Sequence, residues 1–343
     1  MTKIRSLGVS PTGIETFELS NKNGLRLEIM TYGARLHRLF VPTKQGNFID
    51  ILAGFNTVDE YRTPNPYFNA IIGRVANRIK ASRFTLNGKT YLLHPNEGNN
   101  FLHGGDHGFE HCMFTPHVHD DALELTYLSP AGEENFPGTM DFSITYRLTD
   151  DDRFVLEYNA TTDEDTLCNL TNHAYFNLNG DNSSVLPTVV YINSHKFTEA
   201  DEELVVKDKI TDVTGTAFDF TLPKPVGRDI DKENPIFRDA LGGYDFNYIL
   251  NENSNLSTLA ASAYSPTTGI ELSVYTDRPC LQFYSGNFLD GSVTGKYNYP
   301  YQSAFCFESQ GYPNACNIPS FPPIVLHKNE CFKSTTIYSF SVR

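Results

Sequence analysis

The sequence predicts an all-β fold, a sandwich or barrel of many short strands. Three observations carry this reading. Apolar and polar residues alternate at period two through several segments, which puts one face of each strand inward. Glycine and proline (24 and 19 residues) punctuate these segments at fairly regular spacing. Helical patterning at a 3.6-residue period is thin.

The elements follow in order. Leu25-Arg-Leu-Glu-Ile-Met30 alternates as a half-buried strand. Val58-Asp-Glu-Tyr-Arg62 suits a short helical turn. Arg83-Phe-Thr-Leu86 and Lys89-Thr-Tyr-Leu-Leu93 flank Asn87-Gly88, the pair that a type I′ hairpin turn requires. Ala122 to Leu128, Phe142 to Leu148 and Phe154 to Ala160 are three further alternating runs, the last two parted by Asp150-Asp-Asp152. Strands are also expected at Thr166 to Asn177, Val189 to Asn193, Glu271 to Thr276, Cys280 to Ser285, Ser303 to Glu308 and Thr335 to Val342. Asp201 to Ile210 has a helical composition but poor periodicity and lies between strand-like segments, so it reads as a loop. The 343-residue length would allow two domains, but no linker, repeat or composition break divides the chain. A single domain over residues 1–343 is expected.

The formal charge of −14 argues against nucleic acid and anionic membrane surfaces as partners. The first residues lack the apolar run of a secretory signal, and no segment has the ~20 apolar residues of a membrane span. A cytoplasmic location is expected. The six scattered cysteines form no C-x-x-C pair and read as buried free thiols.

Five of the ten histidines fall between His103 and His119. His103, His107 and His111 have helical metal-ligand spacing, but Gly104, Gly105 and Gly108 oppose a helix there, so no metal is expected. His107, His111, His117 and His119 read as exposed. In Leu102-His103-Gly-Gly, by contrast, the glycines would let backbone approach a ligand and present the imidazole.

Leu170 to Leu178 places His173 and Tyr175 on one strand face. In Ala304-Phe-Cys-Phe-Glu308, burial would raise the Glu308 pKa toward the range of a general base. Gly242-Gly-Tyr-Asp245 suits a loop that offers a carboxylate to a polar ligand, or merely a turn. Asn77 and Arg78 lie among apolar residues, which implies a partner or a ligand. Phosphate loops, nucleophile elbows and dinucleotide fingerprints are absent from the sequence. The set suits cofactor-free acid–base chemistry on a polyhydroxylated substrate, with carbohydrate the best fit. Because the chain has no Trp, any ring stacking must come from Phe or Tyr.

Six segments, in order, resemble the aldose 1-epimerase (galactose mutarotase) family. They are Gly73-Arg-Val-Ala-Asn77-Arg78-Ile, Leu102-His103-Gly-Gly, Thr171-Asn-His173-Ala-Tyr175-Phe-Asn-Leu, Gly243-Tyr-Asp245, Leu281-Gln282-Phe-Tyr-Ser-Gly-Asn and Phe307-Glu308-Ser-Gln-Gly-Tyr-Pro-Asn-Ala-Cys-Asn317. The resemblance implies a large antiparallel β-sandwich of the galactose mutarotase type with few short helices. It also implies interconversion of the α and β anomers of aldohexoses such as galactose and glucose, without a cofactor. By motif, Glu308 is the expected base on the C1 hydroxyl and His173 the acid at the ring oxygen. His103, Asp245, Arg78, Asn77, Gln282 and Tyr175 are expected at the substrate. A monomer or homodimer is expected. A hexose-6-phosphate 1-epimerase and a non-catalytic sugar-binding protein on this fold are the alternatives, with a glycoside hydrolase using Glu308 and Asp245 more remote. The sequence departs from the family at Phe246, where His is common, and at Met113-Phe114, near where a Trp is usual.

Overall fold

A computed structural model describes residues 2–251 and 255–343. Its largest element is a nine-stranded antiparallel sheet. In spatial order the strands are Thr115–Val118, Ala122–Ser129, Met140–Leu148, Arg153–Thr162, Cys331–Val342, Ile270–Thr276, Ala261–Tyr264, Val189–Ile192 and Lys224–Pro225. The last long strand of the chain lies at its centre, so it joins early and late segments. The predicted alternation is plain here: from Phe142 to Leu148 and from Phe154 to Ala160, every second side chain is buried.

A five-stranded sheet packs against it, in the order Val206–Asp212, Lys196–Ala200, Asp245–Ile249, Cys280–Tyr284, Cys306–Gln310. Apolar side chains of both sheets share one core, which includes Phe154, Phe305, Phe307 and Tyr338. The Tyr338 hydroxyl of the large sheet donates to the Phe307 carbonyl of the smaller one (3.2 Å). A third sheet is an N-terminal meander of Lys3–Val9, Glu15–Ser20, Arg26–Met30, Leu36–Pro42 and Phe48–Asp50. Its Leu27, Ile29 and Leu39 enter the same core. Among the described residues the one α-helix is Pro235–Asp239, where Asn234 Oδ1 accepts from the Ile236 N–H. No helix there is long and apolar enough to cross a membrane.

Most sequence expectations hold. The hairpin forms, with positive φ at Asn87 and Gly88, and Asp59–Arg62 makes a short 3₁₀ turn. Four expectations need correction. Thr166 to Asn177 is not one strand but two dipeptide strands, Thr166–Leu167 and Thr171–Asn172, each paired to a different segment. The strand expected at Ser303 to Glu308 begins at Cys306 and runs to Gln310, so Glu308 is central in it. Asp201 to Ile210 is a turn and then the strand Val206–Asp212: the Asp201 side chain accepts from the N–H groups of Glu203 and Val205, which closes the turn. All six cysteines are free, but Cys168, Cys280 and Cys306 alone are buried, while Cys331 is exposed. Of the N-terminal meander only the third strand was legible. Lys3–Val9, for example, is almost wholly exposed and has no buried face to impose alternation.

Candidate active site

The small sheet builds the floor of the site. Asn247 stands opposite Gln282, and Gln282 opposite Glu308; one row over, Asp245, Tyr284 and Cys306 align in the same way. Directly opposed residues share a face, and so do residues two apart. One face therefore carries Asp245, Asn247, Gln282, Tyr284, Cys306, Glu308 and Gln310. The other carries Phe246, Tyr248, Leu281, Phe283 and Phe307, all in the main core. Phe246 thus points away from the site and packs on Phe197, Phe218 and Phe237, so its departure from the family pattern leaves the pocket unaltered. Asp245 opens a strand instead of sitting in a loop.

Loops supply the walls, tied by very short ladders. Arg78–Ile79 pairs with Phe101–Leu102, which brings Arg78 and His103 together. Ile71–Ile72 pairs with Thr171–Asn172, and Phe176 bridges to Phe305. These contacts hold His173 over the floor. Buried Asn69, which the sequence reading missed, locks that segment: its backbone N–H donates to the His173 carbonyl (3.1 Å), and its Oδ1 accepts from the Tyr175 N–H (2.9 Å).

The result is a cavity of about 240 Å³ lined by Pro66, Tyr67, Asn77, Arg78, Glu97, Leu102, His103, His173, Tyr175, Asp245, Tyr284, Phe288 and Glu308. Seven of the eight candidate residues line it. Gln282 lies behind Asp245, donating from Nε2 to Asp245 Oδ1 (2.7 Å) while its Oε1 accepts from Gln310 (3.4 Å). The aromatic contributions missed in sequence are Tyr67, Tyr284 and Phe288. Tyr284 and Phe288 stack with centroids 6.0 Å apart, and Phe288 is 44% exposed at the rim. Tyr67 lies 4.8 Å from the His103 ring and 6.0 Å from His173. The segment Pro64-Asn-Pro-Tyr67 had no strand or charge pattern to draw notice.

The polar groups hold one another in place. Arg78 donates from Nε and Nη2 to both oxygens of Glu97 (2.5 and 2.6 Å). That fork explains how an arginine is tolerated among apolar neighbours. Burial lowers the Arg78 pKa, but Glu97 and Asp245 more than offset this and hold it up. Asn77 Oδ1 accepts from the Arg78 N–H. The Asn77 N–H in turn donates to His103 Nδ1 (3.2 Å), so neutral His103 carries its hydrogen on Nε2. The imidazole of His103 does face the cavity, and Gly104 after it has a packing reason as well. A Cβ on Gly104 would lie 2.0 Å from the Gly73 carbonyl oxygen, so backbone approaches backbone closely here.

Glu308 Oε1 and His173 Nε2 are 3.6 Å apart and both side chains are buried. Burial, with Asp245 nearby, pushes the Glu308 pKa well up, and Arg78 opposes the shift. Burial pushes His173 down to about 3 and His103 well below its ordinary value. One group is thereby a strengthened base and the histidines stay neutral. His103, His173 and Glu308 lie close enough for a metal, with ligand atoms within 4.8 Å. The hydrogen on His103 Nε2 argues against that use, because a metal there would require Nδ1 to be protonated against the Asn77 N–H. His107, His111, His117 and His119 are exposed, as expected.

Neither Met113 nor Phe114 reaches the cavity. Met113 meets the Thr31 hydroxyl, and Phe114 packs on Phe109, Tyr127 and Phe142. The neighbouring Glu110 is 1% exposed, with neither carboxyl oxygen hydrogen-bonded. Burial pushes its pKa from 4.5 up to about 8. Between those values the folded chain holds a proton that the unfolded chain has released, so stability falls as pH rises through the window. Glu110→Gln is expected to gain at least ~1 kcal/mol over the parent at about pH 9 relative to about pH 5 in denaturant melts. A pH-independent difference would refute this assignment.

A β-sandwich whose pocket brings a buried carboxyl against a buried imidazole, among polar side chains and aromatic rings, suits the class of proteins that act on small polyhydroxylated rings. Within that class a family model described as aldose 1-epimerase matches residues 15–339, and the chain belongs to that family. It is 40% identical to the galactose mutarotase of Sus scrofa over 341 residues, covering 98% of this chain and 97% of that one. It is 34% identical to the aldose 1-epimerase of Escherichia coli K12, covering 94% of each. The crystal structure of an aldose epimerase homologue from C. elegans superimposes with a TM-score of 0.87 at 28% identity, covering 100% of this chain and 99% of that one.

Proposed function

We propose that this chain interconverts the α and β anomers of aldohexoses such as galactose and glucose, with Glu308 as base and His173 as acid. The observation that carries this reading is the Glu308–His173 contact at the bottom of a hexose-sized cavity, with opposite pKa shifts on its two members. Glu308 takes the proton from O1 while His173 Nε2–H protonates the ring oxygen, and the C1–ring-oxygen bond breaks. Rotation about C1–C2 presents the other aldehyde face, and reclosure reverses the transfers. Ring opening moves one proton from O1 to Glu308 and one from His173 to the ring oxygen, and reclosure returns both, so a full cycle is proton-neutral. In the opened state the 3.6 Å separation lets Glu308 share the proton it has taken with the Nε2 that has given one up. Neither an imidazolate nor an imidazolium then has to persist at this buried position. Each positioned acid or base contributes ~10²–10⁴-fold.

His103 Nε2–H supports the same end of the sugar. Arg78, Asp245 and Asn77 hold ring hydroxyls, Gln282 orients Asp245, and Tyr67, Tyr175 and Phe288 cover apolar ring surface. No cofactor is required, since the product is an isomer. Arg78 is the sole Lys or Arg among the described lining residues, and Glu97 already engages it. This disfavours a 6-phosphate substrate. Residues from Pro66 to Glu308 share the one cavity, which supports a single functional unit over residues 1–343. Six unpaired thiols suit a reducing compartment, and we place the protein in the cytoplasm.

Polarimetry with α-D-galactose, glucose, maltose and glucose 6-phosphate tests the reading. Fast mutarotation of the free hexoses is expected, and none above the spontaneous rate would overturn it. Asp245→Asn is expected to raise KM ~10-fold by weakening a charge-assisted hydrogen bond to substrate. Because Asp245 also raises the Glu308 pKa, the acid limb of its pH–rate profile should move to lower pH. An unchanged KM removes Asp245 from the substrate.

A further inference from the structure

Cys306 sits on the pocket face of its strand, two residues before Glu308, and is fully buried. Its Sγ lies 3.4 Å from His173 Nδ1, the ring nitrogen turned away from Glu308. Burial, together with the neighbouring Glu308 and Asp245 carboxyls, pushes the thiol pKa well up, so it keeps its hydrogen. An S–H is a weak donor and sulfur a weak acceptor, whereas an imidazole lone pair accepts readily. On the other side of the ring, Nε2 faces a carboxyl oxygen that accepts from an N–H when ionised. Both contacts favour the same neutral tautomer. His103 has the same arrangement with a different donor, the Asn77 N–H on its Nδ1.

We infer that Cys306 is a positioning residue: its S–H donates to His173 Nδ1 and so holds the proton-donating hydrogen on Nε2, facing the sugar. The inference rests on His173 being the acid at the ring oxygen. The thiol takes no part in proton transfer, since a buried thiolate beside two carboxyls would be costly. The ring stack with Tyr175, with centroids 5.0 Å apart at 13°, fixes the plane of His173 but not its tautomer. The thiol is the group placed at Nδ1, and it acts on the tautomer together with the Glu308 carboxyl at Nε2.

The test compares Cys306→Ala, which removes the donor, with Cys306→Ser, which keeps one. Histidine side-chain nitrogen NMR, with His173 assigned through His173→Asn, reads the tautomer, and polarimetry with galactose reads kcat and KM. The parent and Cys306→Ser should show the Nε2–H form, with kcat within ~3-fold of each other. Cys306→Ala should lose that preference and ~10-fold in kcat at unchanged KM, because a misplaced hydrogen impairs general-acid transfer. A parent His173 protonated on Nδ1 would overturn the inference. So would a Cys306→Ala protein that keeps both tautomer and kcat, even if its Tm falls through lost packing. Failure of the underlying reading looks different: His173→Asn itself would then mutarotate galactose at the parent rate.

Discussion

Glu308→Gln is expected to lower kcat for galactose mutarotation by at least ~10²-fold, the contribution of a positioned base. Gln matches the carboxylate in size and can still hydrogen-bond Nε2 of His173, but it cannot take the O1 proton. The central strand position, with Gln282 opposite and the Phe246–Phe283–Phe307 face beneath, should leave the fold intact. Removing a buried carboxyl whose pKa is driven up by burial should, if anything, stabilise the protein above neutral pH. Stability and activity should therefore move in opposite directions. KM should change little, since the lost interaction belongs to the transition state. A folded Glu308→Gln protein with polarimetric rates near those of the parent would exclude Glu308 as the base.

His173→Asn is expected to cost a similar ~10²-fold or more by removing the acid at the ring oxygen. Asn is smaller than imidazole and forfeits the stacks on Tyr175 and Tyr67, so a modest fall in Tm should accompany the loss. The double variant separates the roles. Because the two groups act on one proton relay, losing both should cost little more than losing either. Fully multiplicative losses would point to two independent contributions instead.

The main features of the fold were legible where one strand face is buried and the other wet. Met140–Leu148 and Arg153–Thr162 alternate because their sheet has a packed side. The segment around His173 was misread for a related reason. Residues 166–177 are all buried although half are polar, so no alternation marks a face, and the chain changes partner between Thr166–Leu167 and Thr171–Asn172. Tyr67 and Asn69 were missed because both take positive φ in a loop, a conformation that side-chain type barely signals. Glu97 was missed for want of any local sign that it is the partner of Arg78.

The sequence by itself determined the reactive inventory and its order along the chain: Asn77 and Arg78, His103, His173, Asp245, Glu308, with no Trp to stack on a ring. Tertiary structure decided the rest. The strand that opens at Asp245, which reads as a loop or turn in the sequence, puts Asp245 and Phe246 on opposite faces. Which of the two faces meets the sugar depends on the large sheet that covers Phe246, Phe283 and Phe307. The protonation of Glu308 and His173 depends on water being excluded by segments more than 100 residues apart in sequence. Tautomers depend on single donors, the Asn77 N–H for His103 and, by our inference, Cys306 for His173. Alternation is a local property of the backbone, whereas desolvation and hydrogen-bond direction arise only when distant strands and loops close on one another.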